Sequence, residues 1–169
     1  MHLAIISDTH GNLAAFKKFA GWAKQNQIAA IIHCGDFGFA DFAKDMAELL
    51  PNASFRIVAG NADTDPEKLE NMIADGQLPN VIFYGQTGQI EFDGKKIALT
   101  HKPDDARQLA LTGQFDLVFF GHTHKPSEEK INNCRLINPG NLAGDIFRST
   151  FAVYDTATDR LELKITASL

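Results

Sequence analysis

The first part of the chain alternates short apolar runs with segments in which apolar residues recur every three or four positions. The apolar runs predict strands buried on both faces, at residues 3–6, 29–32 and 55–59. The periodic segments predict helices, at residues 12–26, 39–50 and 65–74. Asn12 is placed to cap the first helix, and Pro66 takes the favoured first position of the third. Strands that alternate with helices in this way predict a parallel sheet.

The rest of the chain has a different pattern, in which strands are mostly paired across short turns. Two turn signals, Asp93-Gly94 and Asn132-Asn133, predict hairpins. We predict a hairpin over 130–137, a helix over 103–112, and strands at residues 81–84, 89–92, 95–100, 117–120, 150–155 and 160–166. The two patterns together fit a mixed two-sheet core with helices outside. The length suits a single domain over residues 1–169.

Composition and charge constrain the class of protein, its partners and its location. Apolar residues make up 44% and charged residues 22% of the chain, as in ordinary globular proteins. The formal net charge of -5 argues against a nucleic-acid backbone as the main partner. Two cysteines do not make a disulfide framework, and the sequence shows neither a basic leader nor a membrane-length apolar run. We therefore expect a cytoplasmic protein with no membrane partner, and a homo-oligomer stays an option.

Side chains that can bind a metal follow the buried strands. Five of the apolar runs each deliver one such residue just past the carboxyl end, and these are Asp8, Asp36, Asn61, His101 and His122. His10 and His124 lie two residues beyond Asp8 and His122, so they can turn back toward the same point. Open α/β sheets gather their sites at the carboxyl edge of the strands, which predicts that the seven side chains meet there.

The donor set indicates two metal ions. Two carboxylates, one carboxamide and four imidazoles are too many for a single tetrahedral zinc site. Oxygen and nitrogen donors without a thiolate favour manganese, iron, zinc, cobalt or nickel over magnesium or calcium. Two such ions are a recurrent device for hydrolysing phosphate esters. Gly35, Gly60 and Gly121 stand between a strand and its donor, where glycine permits a sharp turn and a close approach.

The motifs resemble those of the calcineurin-like metallophosphoesterase superfamily. They are DTH at 8–10, GD at 35–36, GN at 60–61, His101 and GHTH at 121–124. The short chain and INPGN at 137–141 are similar to the small, single-domain YfcE-like phosphodiesterase branch. The resemblance implies an α/β fold with four layers, an αββα sandwich in which two mixed β-sheets are flanked by helices.

The resemblance also implies roles for the donor residues. One metal would be held by Asp8, His10, Asp36 and His124, and the other by Asp36, Asn61, His101 and His122, with Asp36 bridging. Manganese is expected first among the candidate ions. Asp36, Asn61 and His101 would be catalytic residues, and the candidates for substrate binding are Asn61, Lys102 and Arg148. The implied reaction is in-line attack on a small phosphate ester by a hydroxide that bridges the metals.

Two alternatives to a phosphodiesterase stay open. One is a phosphomonoesterase that acts on a nucleotide, sugar or phosphoprotein, because monoester and diester hydrolysis can use the same metals. It would need further cations for the second phosphate charge, and Lys102 and Arg148 are the obvious candidates. The other is a non-catalytic interaction scaffold of the same fold, which is expected when metal ligands have been lost. All seven donors are present here, which favours an enzyme.

Two positions depart from the family pattern. Many relatives carry a histidine directly after the GN asparagine, where it helps to protonate the leaving group, and this chain has Ala62. We therefore expect a preference for acidic leaving groups, such as those of aryl diesters, or a proton from Asp63 or water. Lys102 stands where relatives usually have glycine, and it either approaches the phosphate or points into water. His33 is interpreted as either a support for Asp36 or a core histidine.

Overall fold

Eleven strands and four α-helices make up the structure, a computed structural model that describes residues 1–168. The strands are β1 (His2–Ile6), β2 (Ala30–His33), β3 (Ser54–Ile57), β4 (Val81–Phe83), β5 (Thr87–Phe92), β6 (Lys95–Thr100), β7 (Leu117–Phe119), β8 (Ser127–Ile131), β9 (Cys134–Asn138), β10 (Thr150–Asp155) and β11 (Arg160–Ile165). The helices are α1 (Leu13–Gln25), α2 (Ala40–Leu49), α3 (Pro66–Ala74) and α4 (Pro103–Leu111), followed at the end by a short 3-10 helix (Thr166–Ser168). Every predicted element is present, with ends that differ by a few residues.

The first sheet has six strands in the order β11-β10-β1-β2-β3-β4. Strands β1 to β4 are parallel because α1, α2 and α3 carry the chain back between them, which was predicted for β1 to β3 and extends to β4. Strand β10 pairs antiparallel with β1, with Leu3 opposite Tyr154, and β11 extends this edge. The sequence predicted β10 and β11 as a pair without assigning them to a sheet, and the structure places them in this one.

The second sheet has five strands in the order β5-β6-β7-β9-β8. The hairpins β5–β6 and β8–β9 form around the predicted two-residue turns, with Phe92 opposite Lys95 and Ile131 opposite Cys134. Strands β6, β7 and β9 are parallel to one another, and α4 connects β6 to β7. The second half is therefore less dominated by hairpins than its turn signals predicted, because its centre is a parallel strand-helix-strand unit.

Alternate residues of the central strands pack into different layers. In β1, Ala4 and Ile6 pack with the apolar faces of α1, α2 and α3, whereas Leu3 and Ile5 pack against the second sheet. In β6, Ala98 faces the cluster that contains α4. Because side chains alternate across a strand, the chain forms four layers, with helices outside two sheets. This architecture confirms the predicted αββα sandwich.

The predicted cap of the first helix is confirmed. Asn12 caps α1, and its Oδ1 accepts a hydrogen bond from the Ala15 amide at 3.1 Å. Both cysteines, Cys34 and Cys134, are buried and unpaired. Among residues 1–168, no helix combines the length and apolar character needed to cross a membrane.

Candidate metal centre

The loops that follow β1, β2, β3, β6 and β7 meet at one edge of the two sheets. Strands of both sheets contribute, so the site lies where the layers adjoin. These loops carry all seven donors predicted from the sequence, which are Asp8, His10, Asp36, Asn61, His101, His122 and His124. The parallel direction of the strands is the cause, because it brings their carboxyl ends to a common edge.

Four donors form a first group. One ligand atom from each of Asp8, His10, Asp36 and His124 lies within 4.8 Å of the others. His124 Nε2 is 3.3 Å from His10 Nε2 and 3.4 Å from Asp8 Oδ1, and His10 Nε2 is 3.9 Å from Asp36 Oδ2. These atoms therefore surround a common point at the spacing that a metal's ligands require.

A second group adjoins the first and centres on the His101 ring. His101 Nε2 lies 3.1 Å from Asn61 Oδ1, 3.3 Å from His122 Nδ1 and 3.3 Å from Asp36 Oδ2. Asp36 thus contacts residues of both groups, through His10 in the first and His101 in the second. The structure thus brings all seven predicted donors to one edge, in two adjoining groups that both contact Asp36.

Five of these donors have left-handed backbone conformations. Their φ angles are 51° for Asp8, 44° for His10, 56° for Asp36, 69° for His122 and 58° for His124. Residues other than glycine are uncommon there, although aspartate and histidine enter this region more readily than most. The conformation costs about 1–3 kcal/mol per residue and persists where the surrounding structure imposes it. Strain of this kind concentrated on one set of donors is typical of a functional site.

Two of the predicted glycines are required by the closeness of the loops. A Cβ atom at Gly60 would overlap the backbone nitrogen and Oδ1 of Asp36. A Cβ atom at Gly121 would overlap Ser7 Oγ and lie 2.8 Å from Asp8 Oδ2. Their neighbours are the buried carboxylates of the site, so these positions have no room for any side chain.

Asp63 ties two of the loops together, a role that the sequence did not reveal. Its Oδ2 accepts hydrogen bonds from the backbone amides of Asp36 at 3.2 Å and Gly60 at 2.6 Å. Its Oδ1 accepts from the amide of Gly38 at 2.7 Å. The only signal in the sequence is an acid two residues after Asn61. These bonds hold the loops after β2 and β3 in register, and with them Asp36 and Asn61.

Two asparagines of the 137–141 segment hold the loop that carries His122 and His124. Asn138 Nδ2 donates to Gly121 O at 2.7 Å, and Asn141 Nδ2 donates to His124 O at 3.1 Å. Both asparagines are buried, and both donate to backbone carbonyls of the loop that follows β7. The motif that resembled the YfcE-like branch thus serves to shape the loop with the last two donors.

The charges at this edge are not balanced by protein cations. Asp8 and Asp36 are buried, and among residues 1–168 neither forms an ion pair with lysine or arginine. Burial raises the pKa of Asp8. Burial also acts to raise the pKa of Asp36, but hydrogen bonds with His101 and the Ala62 amide outweigh it and leave the pKa lowered. Buried carboxylates surrounded by imidazoles are the surroundings that divalent metal ions occupy, so the residues present fit such ions.

The pKa of His101 is also set by burial and polar contacts that act in opposite directions. Burial acts to lower its pKa, but the Asp36 carboxylate and the Cys34 carbonyl both favour the charged ring and leave the pKa raised. Its Nδ1 lies 2.8 Å from Cys34 O. A ring whose Nδ1 is committed to a carbonyl presents Nε2 toward Asp36 and Asn61, as a metal ligand must.

His33 supports the site indirectly. Its Nε2 lies 2.9 Å from the hydroxyl of Thr9, the residue between Asp8 and His10. Complete burial lowers the pKa of His33 to about 3, although the nearby Asp36 acts in the opposite direction. His33 is therefore a neutral core histidine whose hydrogen bond goes to the DTH loop and not to Asp36.

The two cations predicted to bind substrate lie at the surface. Lys102 is exposed at the start of α4, next to His101 in the chain. Arg148 is exposed and lines a cavity of about 430 Å³ together with Lys18 and the first turn of α1. Neither forms an ion pair among the described residues. The geometry leaves both roles as predictions.

An exposed aromatic ring borders the first group. Phe39 is 43% exposed, and its ring lies so close to Gly11, next to His10, that a Cβ atom there would approach Cε1 to 2.6 Å. Phe37, in contrast, is fully buried. Phe39 therefore exposes an aromatic ring next to the loop that carries His10.

Comparison with known proteins agrees with this geometry. The model of the calcineurin-like phosphoesterase superfamily domain matches residues 1–159. The chain belongs to this superfamily. Phosphodiesterase MJ0936 from Methanocaldococcus jannaschii is 31% identical over 146 residues, which cover 85% of this chain and 86% of the relative. The solved structure of an archaeal phosphodiesterase matches with a TM-score of 0.87 and 28% identity, over 98% of this chain and 99% of the other.

Two more solved structures share the fold of this chain at lower sequence identity. The Escherichia coli phosphoesterase YfcE matches with a TM-score of 0.67 and 18% identity, over 98% of this chain and all of the other. Vps29 from Entamoeba histolytica, in complex with zinc, matches with a TM-score of 0.67 and 16% identity, over 98% of this chain and 99% of the other. These two matches show the shared fold, whereas the family match and the 31% identical phosphodiesterase confirm the small phosphoesterase branch predicted from the motifs.

Proposed function

We propose that this phosphoesterase is a phosphodiesterase that hydrolyses a small phosphate ester at a site for two metal ions. The observation that supports it most is the position of Asp36 between the two groups of donors, 3.9 Å from His10 Nε2 and 3.3 Å from His101 Nε2. A carboxylate shared in this way is how proteins hold two cations about 3.5–4 Å apart.

In this proposal, each group of donors holds one divalent ion. Manganese is the first candidate, and iron, zinc, cobalt or nickel would suit the same donors. When bound, the ions supply Lewis-acid stabilisation of the phosphoryl oxygens and lower the pKa of water. The histidines and carboxylates fix the positions at which this chemistry takes place.

Asn61 is proposed to bind both metal and substrate. Its Oδ1 lies 3.1 Å from His101 Nε2, while its Nδ2 donates no hydrogen bond among residues 1–168. The side chain is at the exposed rim of the site. The amide can therefore offer an oxygen to a cation and its N–H groups to a phosphoryl oxygen at the same time.

The site lacks an obvious acid for the leaving group. The Ala62 side chain cannot donate a proton, and its backbone amide donates to Asp36 Oδ1 at 2.8 Å. Both carboxylate oxygens of Asp63 accept backbone amides, so Asp63 faces the loops. We therefore expect diesters with acidic, aryl leaving groups to be the better substrates, since they depart without a proton. Phe39 gives such a group an apolar surface beside the site.

A metal-by-substrate screen on the full chain tests this proposal. Protein stripped with a chelator and reloaded with each candidate ion is assayed on aryl diesters and aryl monoesters. Diesters should be hydrolysed faster, and the rate should fall steeply as the pKa of the leaving group rises. A flat rate across leaving groups would refute the missing-acid argument, and faster monoester hydrolysis would favour the phosphomonoesterase.

The scaffold function is the second candidate, because Vps29 shares this fold. A scaffold of this fold is expected to have lost metal ligands, whereas this chain has all seven donors, and five of them have left-handed backbone conformations. No turnover of any ester by fully reloaded protein would favour the scaffold. The cytoplasmic location and the single domain over residues 1–169 stay proposals alongside the activity.

A further inference from the structure

The two ring nitrogens of His124 face different surroundings. Nε2 points into the first group, 3.4 Å from Asp8 Oδ1. Nδ1 is buried and has no hydrogen-bond partner among the described residues. Asp145 Oδ1 lies 3.3 Å from Nδ1, within reach but outside the direction of a hydrogen bond. The same oxygen accepts a hydrogen bond from the Ile146 amide at 2.8 Å.

The segment before Asp145 is anchored to the site. The Ala143 amide donates to Asp8 O at 3.1 Å, and Asn141 Nδ2 donates to His124 O at 3.1 Å. The backbone of both Asp8 and His124 is therefore bonded to this segment. The Asp145 side chain is 47% exposed, and its backbone follows these anchors by two and four residues.

We propose that Asp145 is a positioning residue that accepts the Nδ1 proton of His124 and so strengthens metal binding by the first group. This inference rests on the proposed function. When the Nε2 lone pair engages a cation, the neutral imidazole carries its proton on Nδ1. That proton needs an acceptor, and a small rotation of Asp145 supplies one. A carboxylate acceptor fixes the ring and makes Nε2 a stronger donor to the metal.

The second group provides an internal contrast. There, His101 Nδ1 lies 2.8 Å from the carbonyl of Cys34, which is neutral and belongs to the buried backbone. The two groups therefore differ in the charge behind one of their imidazoles. Substitution of Asp145 should change the affinity of the first group and leave the second group as it is.

Calorimetric titration of the chelator-stripped full chain with Mn²⁺ tests this inference. In Asp145→Ala, one of the two Mn²⁺ ions should bind about 10- to 100-fold more weakly, while the other changes by less than about two-fold. Asp145→Asn keeps an oxygen that can accept the proton but loses the charge, so it should bind more tightly than Asp145→Ala. Asp75→Ala, which removes an exposed acid after α3, is the matched control and should behave as the wild type.

The outcomes separate this inference from the proposed function. Wild-type affinity for both ions in Asp145→Ala would overturn the role of Asp145 and leave the two-metal proposal standing. Equal weakening of both ions, or a lowered melting temperature of the metal-free variant, would also overturn it, because Asp145 would then act on the fold. A wild-type chain that binds fewer than two Mn²⁺ ions would overturn the two-metal proposal and this inference together.

Discussion

The two ends of the β-sandwich use the same unusual backbone conformation for different purposes. At the ligand edge, which carries the seven donors, all five non-glycine residues with positive φ are donors. At the opposite edge, called the turn edge, the non-glycine residues with positive φ lie in connections between elements, and they are Gln27, Asp93, Asn132 and Asp159. Asn and Asp tolerate this conformation best, which explains three of those four. Histidine, which occurs three times at the ligand edge, also enters this conformation more readily than most residues and can bind a metal as well, so the residues at this edge suit both the turn and the chemistry.

The two edges also differ in how their charges are paired. At the turn edge, Arg135 contacts Glu128 at 2.7 Å and Asp159 at 3.2 Å, and Lys95 lies 3.6 Å from Asp159. At the ligand edge, the buried carboxylates have imidazoles and no lysine or arginine within the described chain. The turn edge is therefore complete as folded, whereas the ligand edge needs cations to balance its charge.

The largest expected effect is the difference between substituting an acid at the ligand edge and substituting one at the turn edge. Asp36→Asn keeps the shape of the side chain but removes the charge shared by both groups, so kcat/KM for an aryl diester should fall at least about 1,000-fold, or ~4 kcal/mol. Asp159→Asn removes a charge at the turn edge and should stay within about two-fold of the wild type. Steady-state kinetics and metal analysis of the reloaded proteins measure both. Similar losses in the two variants would remove the distinction between the edges.

A glycine pair is expected to give the next largest effect. Gly60→Ala places a methyl group against Asp36, so it should lower the free energy of unfolding by about 3 kcal/mol and abolish turnover. Gly21→Ala adds the same methyl group to the exposed side of α1, where nothing lies within 4 Å, and should stabilise by up to about 1 kcal/mol. Denaturant unfolding of both metal-free variants measures the difference. A Gly60→Ala variant as stable as the wild type would mean that the loops after β2 and β3 can move apart.

The donors could be predicted from the sequence because their placement depends on a general property of parallel strands. Apolar runs identify the strands, and the carboxyl ends of such strands meet whichever helices lie between them. Asp36 and His101 are far apart in the chain but follow this rule, so their meeting needed no knowledge of the loops.

The residues that support the donors could not be predicted in the same way. Asp63 accepts amides of Asp36 and Gly38, and whether an acid faces the backbone or water depends on how two loops close on each other. Asp145 meets His124 only because the intervening hairpin and the 138–141 turn bring it back. Which sheet β10 and β11 join likewise depends on the unpaired edge of β1, and no local sequence pattern predicts that pairing.

A smaller effect is expected from His33, which lies at the ligand edge but is not one of the donors. His33 is fully buried with a pKa of about 3, against an ordinary value of 6.5. Between about pH 6.5 and pH 3, His33 is therefore protonated in the unfolded chain and neutral in the folded chain. The free energy of unfolding falls as the pH drops through this range. The slope from this residue reaches about 1.4 kcal/mol per pH unit, and it should be missing in His33→Gln.

Unfolding of chelator-treated protein by denaturant, repeated between pH 7 and pH 4.5, measures these slopes. The donors are the same in the wild type and His33→Gln, so their titration is common to both proteins and the difference isolates His33. His2→Gln, at an exposed position of the turn edge, controls for the loss of an imidazole. Parallel curves for the wild type and His33→Gln would mean that water reaches the ring below Thr9. The ligand edge would then be less tightly closed around its donors than their burial indicates.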